Sequence, residues 1–119
     1  YFSRKKFFLG LSQDKNFFKK IELKMITLDS YFSEYNLNKI DLLKIDTEGF
    51  EYEVLQGLKK NIKNVKYILF EHHYDDMIKK NYKFKDIIKL LKHNNFKLIY
   101  KTKMPFRKSF EYIFGKEDI

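Results

Sequence analysis

One stretch of this chain leaves few folds open to it. Ile40-Asp41-Leu42-Leu43-Lys44-Ile45 is a short run rich in branched apolar side chains, and Asp46-Thr47-Glu48-Gly49 turns the chain after it. Val54, Leu55, Leu58 and Ile62 then recur at helical spacing, before Val65-Lys66-Tyr67-Ile68-Leu69-Phe70 makes a second apolar run that arrives at Glu71-His72-His73. Strand, helix and strand at this spacing form a βαβ unit. Its two strands should be parallel, joined by a helical connection long enough for a right-handed crossover. The helix is expected from about Glu51 to Ile62. Its charges support it: Glu51 and Glu53 sit in the first turn and Lys59, Lys60 and Lys63 at the end, as the helix dipole favours.

The flanking elements follow from the same periodicities. Ile21-Glu22-Leu23-Lys24-Met25 alternates apolar and polar, which predicts a half-buried strand running on through Ile26-Thr27-Leu28. Asp29 or Ser30 then caps a helix with Tyr31, Phe32 and Tyr35 on its apolar side, ended by Asn36 and Asn38. A polar loop with room for a short helix covers Tyr74 to Lys83. Phe84, Ile87, Ile88 and Leu91 mark an amphipathic helix, with Asn94-Asn95 as its left-handed cap. Phe96 to Tyr100 and Phe110 to Phe114 are strands, and the short connection around Pro105 favours an antiparallel hairpin at one edge of the sheet. The first twenty residues carry less pattern: Phe7-Phe8-Leu9 reads as a short buried segment, Gly10 as a turn and residues 12–16 as a loop. The whole is an open α/β sheet of the form βα–βα–βα–ββ, with neither repeats nor linkers.

Composition narrows the function. A chain of 119 residues makes one small domain, and 44% apolar residues is ordinary for a folded one. The formal net charge of +9 comes from lysines spread along the chain, with arginine only at Arg4 and Arg107. Arginine is the side chain suited to bidentate base and phosphate recognition, so this distribution argues against nucleic acid as partner. Without cysteine there is no disulfide framework, thiolate metal site or cysteine nucleophile. No apolar run approaches the roughly 20 residues of a bilayer crossing, and the start does not resemble a signal peptide. A cytoplasmic protein is expected. The opening on Tyr1 suggests a segment of a longer chain.

In open α/β sheets, ligands bind beyond the carboxyl ends of the strands. Three acidic clusters fall at such ends here: Asp29, then Asp46 with Glu48, then Glu71 followed by two histidines. Each has a structural alternative. Asp29 alone suits a helix cap, and Asp46 and Glu48 suit a tight turn beside Gly49, where the backbone needs a positive φ or a close approach. His72 and His73 are adjacent on an extended segment and point to opposite sides, which disfavours both ligating one ion. HExxH and EF-hand patterns are absent, and glycines at 10, 49, 57 and 115 cannot form a phosphate loop. No metal site is assigned.

These residues carry a resemblance. Lys44-Ile45-Asp46-Thr47-Glu48-Gly49-Phe50-Glu51, continued by Glu53-Val54-Leu55-Gln56-Gly57, resembles the signature of the FkbM family of methyltransferases. Thr27-Leu28-Asp29-Ser30-Tyr31 is similar to the family's Thr-Leu-Asp element, and Tyr67-Ile68-Leu69-Phe70-Glu71 to its following strand. The resemblance spans roughly residues 21–114, with its specificity in the central motif. It implies a Rossmann-like class I methyltransferase fold with a mixed sheet and an antiparallel terminal hairpin. It also implies S-adenosylmethionine as cofactor and methyl transfer to a hydroxyl of a sugar, glycolipid or other small molecule. By position, Asp29 would lie near the adenine ring, Asp46 would face methyl donor and acceptor, and Glu71 would end the next strand. The family's earlier strands, with their glycine-rich cofactor loop, have no counterpart. Residues 21–119 are therefore expected to be the C-terminal half of the domain, with the missing N-terminal half in the same longer chain or in another, and the segment is expected to be inactive or weakly cofactor-binding by itself.

Methyl transfer asks the protein to align acceptor oxygen, methyl and sulfur, to exclude water and to help remove a proton. Asp46 heads the candidates for that base, with Glu71 and His72 as neighbours able to share the role and with Glu48 and Gly49 supporting the turn. Histidine has the better unperturbed pKa for accepting a proton near neutrality. Three rivals make different demands. A degenerate, non-catalytic domain would act in binding or structure, a basic nucleic-acid module would gather its lysines on one face, and a metal-dependent hydrolase would hold an ion between Asp46, Glu48 and His72.

Overall fold

The computed structural model describes residues 19–117; the readings of residues 1–18 lie outside the described part. Eight-residue to ten-residue elements dominate the second half of the chain and shorter ones the first. In chain order they are α1 (Leu28–Glu34), β1 (Ile40–Ile45), α2 (Glu51–Gln56), a 3₁₀ turn at Ile62–Asn64, β2 (Val65–His73), α3 (Phe84–His93), β3 (Phe96–Lys103) and β4 (Ser109–Lys116). The strands make one four-stranded sheet in the order β1-β2-β4-β3. The βαβ expectation is met: β1 and β2 are parallel neighbours, with Ile40 opposite Val65 and Ile45 opposite Phe70. β4 is antiparallel to both its neighbours, so the hairpin folds its last strand inward between β2 and β3.

Side-chain alternation explains which side of the sheet is covered. Ile68, Phe70 and His72 of β2 share a side with Ile45 of β1 and with Phe110, Tyr112 and Phe114 of β4, since these residues pair in register. That side packs with Leu55 and Leu58, Ile62, Ile87 and Leu91 into one buried cluster. Stacking of Phe70 on Tyr112 and Phe114, at centroid separations of 5.6 and 5.9 Å, fills its centre. Toward the β3 edge, the Lys101 ammonium covers the Phe110 ring at 4.5 Å, where a lysine stem does the shielding.

Several boundaries differ from the sequence expectation. Residues 21–28 do not form a strand: Leu23 is a single bridge residue, and Ile21 and Leu23 are 62% and 65% exposed. Alternation predicts a strand only where one side of it has something to pack against, and among the described residues it has nothing. α1 is capped by Thr27, whose Oγ1 accepts the Ser30 N–H at 3.1 Å, in place of Asp29 or Ser30. Of its expected apolar side only Phe32 is buried, while Tyr31 and Tyr35 lean on each other in solvent at 4.4 Å. α2 stops at Gln56 instead of reaching Ile62. Gly57 ends it, and the N–H groups of Lys60 and Asn61 turn away to the Asp29 carboxylate. The 74–83 segment is built of turns without a helix. Asn95 takes the expected left-handed conformation after α3, with φ of 63°.

Candidate active site

The carboxyl ends of β1 and β2 lie side by side, because the strands are parallel and in register through Ile45 and Phe70. Asp46 follows β1 directly; Glu71, expected to end its strand, instead lies within β2, which its pairing with β4 carries on to His73. With Glu111, which pairs with Glu71 across β2 and β4, and with Lys44, Leu69 and Met104, they line a cleft of about 150 Å³. Asp46 is exposed there and accepts no hydrogen bond from the described residues. Glu71 is tethered: Ser109 Oγ donates to its Oε1 at 2.5 Å. A larger and more open groove runs along α3 between Phe84 and His93, but lysines and a histidine flank it without an opposing polar group.

The two histidines diverge as their adjacency requires. His73 shares the side of the sheet with Glu71, and its Nε2 stands 3.7 Å from Glu71 Oε1 and 3.5 Å from Glu48 Oε2. His72 points the other way, into the covered side, against the rings of Tyr74, Phe84 and Tyr82 at 4.6, 5.0 and 6.0 Å. It is 3% exposed and its Nδ1 has no hydrogen-bond partner. Burial first, and the nearby Lys80 ammonium second, push its pKa down to about 4, so the ring is neutral at physiological pH.

The turn between β1 and α2 is held from below. Glu48 and Gly49 both have positive φ, 54° and 101°. The Glu51 carboxylate, at the start of α2, accepts from Thr47 N–H, Thr47 Oγ1 and Gly49 N–H at 3.1–3.3 Å, and Tyr82 donates its hydroxyl proton to the same group. Burial pushes the Glu51 carboxyl up, but the bonds from Tyr82, the backbone and Thr47 outweigh it and hold it below its ordinary value. Asp29 lies apart from this constellation. Its two oxygens accept from Lys60 N–H, Asn61 N–H and Asn61 Nδ2, all within 3.0 Å, which binds α1 to the turn after α2.

The structure thus gathers Asp46, Glu71, Glu48 and Gly49 at one end of the sheet, and places His72 behind it and Asp29 elsewhere. Sequence reasoning weighed His73 only as a possible metal ligand and did not single out Glu111 or Ser109. The first was within reach, since residues 71 and 73 of one strand must share a side; the other two depend on the register of β4 against β2. No group of three or more His, Cys, Asp or Glu among the described residues is arranged to hold a metal ion. A drug-sized ligand fills roughly 300–1,000 Å³, so the cleft fits a small polar group and not a whole nucleoside cofactor. Among the described residues no helix is long and apolar enough to cross a membrane. No curated protein and no solved structure matches the chain. A sequence model of the Methyltransferase FkbM domain does, over residues 2–98, taking in the opening segment that the motifs left aside and stopping within β3. The motif at 44–57 that builds the acidic turn lies inside that match, and the chain belongs to the FkbM methyltransferase family.

Proposed function

We propose that this chain is the acceptor-side part of an S-adenosylmethionine-dependent methyltransferase acting on a hydroxyl of a sugar, glycolipid or other small molecule. The observation that carries the reading is the uncommitted Asp46 carboxylate at the parallel strand ends, facing the cleft it shares with Glu71. When bound, the cofactor supplies an activated methyl group; the chain's own residues do the rest. Asp46 orients the acceptor hydroxyl and takes its proton, which becomes acidic as the oxygen gains a methyl group. Glu71, held by Ser109 and next to His73, fixes the acceptor from the neighbouring strand. Asp29, proposed by position for the adenine side, is better read as a structural tie because both its oxygens are engaged. His72, neutral and enclosed by aromatic rings, is better read as packing than as the base. The strand order β1-β2-β4-β3 and the open side of the sheet support a Rossmann-like class I domain of which this is one half, with the remaining cofactor contacts made by further strands and helices.

The test is Asp46→Asn in the full-length protein, assayed for transfer of labelled methyl from S-adenosylmethionine to hydroxylated sugars and glycolipids. Turnover at saturating substrates is expected to fall about 10²–10⁴-fold with donor affinity nearly unchanged. Normal turnover in the folded variant would shift the role to Glu71 and His73.

A further inference from the structure

A buried carboxylate is costly unless donors surround it, and Glu51, 2% exposed, is the one acidic side chain fully enclosed among the described residues. Its donors come from two separate segments. Thr47 and Gly49 belong to the turn that follows β1, whereas Tyr82 closes the loop after β2. The same two segments meet at Gly49. A Cβ there would stand 2.7 Å from Ile78 Cγ2 and 2.7 Å from the Lys79 carbonyl oxygen, so only glycine lets the loop lie on the turn. The turn itself is strained, with two consecutive residues in the left-handed region, one of them the non-glycine Glu48. Such a conformation persists when its surroundings over-determine it. Here the surroundings are the Glu51 carboxylate and the loop packed on Gly49; Glu48 carries part of the strain and Asp46 lies two residues before it.

We propose that Glu51, braced by Tyr82, is the positioning residue of the site: it fixes the 46–49 turn so that Asp46 faces the cleft and Glu48 faces His73. It touches no acceptor and acts only through the turn. The catalytic part of this claim rests on the proposed function; the structural part does not. Charge matters to the role. A carboxylate offers acceptor oxygens to every donor of the turn, while an amide at the same position would present an NH₂ group to donors that need an acceptor.

Glu51→Gln and Tyr82→Phe in the full-length protein test it, the second keeping the ring and its packing in case the first fails to fold. Amide exchange at Thr47 and Gly49 is expected to speed at least about 10-fold, with exchange at Ile68 and Phe114 in the sheet unchanged. The ¹⁵N signal of His73 Nε2, which faces Glu48, is expected to move in both variants. Turnover is expected to fall about 10-fold with the donor KM unchanged, the pattern of a misplaced group rather than a lost binding contact. Unchanged exchange at Thr47 and Gly49, or an unmoved His73 signal, would overturn the proposal. So would faster exchange with full turnover. A parent protein that transfers no methyl group would refute the proposed function alone, since exchange and the nitrogen signal would still decide whether Glu51 holds the turn.

Discussion

The two sides of the sheet are made from the same strands and yet obey different rules. On the side facing α2 and α3, Ile68, Phe70 and Phe114 are 0%, 1% and 2% exposed. On the other, Leu42, Tyr67 and Tyr100 are 55%, 38% and 53% exposed, although they too carry large apolar surfaces. Successive side chains of a strand alternate, so each strand contributes to both sides equally, and the difference lies only in what has been laid over them. β1 is also an edge strand of the sheet among the described residues. Among the described residues an apolar side and an edge strand thus coincide, which fits the proposal that further strands and helices complete the sheet.

That contrast can be broken by measurement. Phe70→Ala strikes the covered side, where Phe70 stacks on Tyr112 and Phe114, and is expected to cost about 3–5 kcal/mol in a denaturant titration. A cost near 1 kcal/mol would mean that the covered side is loosely packed. The next effect is one of pH. His72 is buried neutral, with its folded pKa lowered to about 4 from 6.5. The unfolded chain therefore binds a proton that the folded chain refuses. Stability is full above pH 6.5 and falls as pH drops toward 4, by roughly 2–4 kcal/mol in total. His72→Phe should flatten this window, and equal slopes in the two proteins would place the ring in water. Glu51, held below its ordinary 4.5, contributes stability that is present above that pH and lost beneath it, so its share appears at the acid end of the curve. The smallest effect belongs to the open side: Leu42→Lys and Tyr67→Lys should each change the unfolding free energy of the 119-residue chain by less than about 0.5 kcal/mol. Costs of 2 kcal/mol there would show that something covers this side in solution.

The same contrast explains what the sequence could disclose. The βαβ unit was legible because β1, α2 and β2 are each patterned for a partner that the chain supplies; the matched register of Ile45 and Phe70 follows from it. The strand expected over residues 21–28 failed for the opposite reason: its alternation is real, but Ile21, Leu23, Met25 and Ile26 are exposed, and Leu28 packs on the core from within α1. At the candidate site, the proximity of Asp46, Glu48 and Glu71 was legible from the two apolar runs that precede them, although β2 continues past Glu71 to His73. Adjacency says only that His72 and His73 diverge; which one joins Glu71 follows from strand parity, and which one is enclosed depends on Tyr82 and Phe84 from later in the chain. Glu51 read as an ordinary first-turn acid. Its enclosure by Tyr82, thirty-one positions on, is a tertiary fact that periodicity does not contain.

Asp29 has a consequence for the order in which the chain assembles. α1 spans seven residues, too few to persist as an isolated helix, and beyond its own Thr27 cap it is secured by Phe32 and by the bonds that the Asp29 carboxylate accepts from Lys60 and Asn61. Those partners belong to the turn after α2 and the crossover toward β2. α1 is therefore expected to dock after β1, α2 and β2 have come together. Mutations within it should leave the refolding rate almost untouched while speeding unfolding, the kinetic signature of contacts made after the barrier has been crossed.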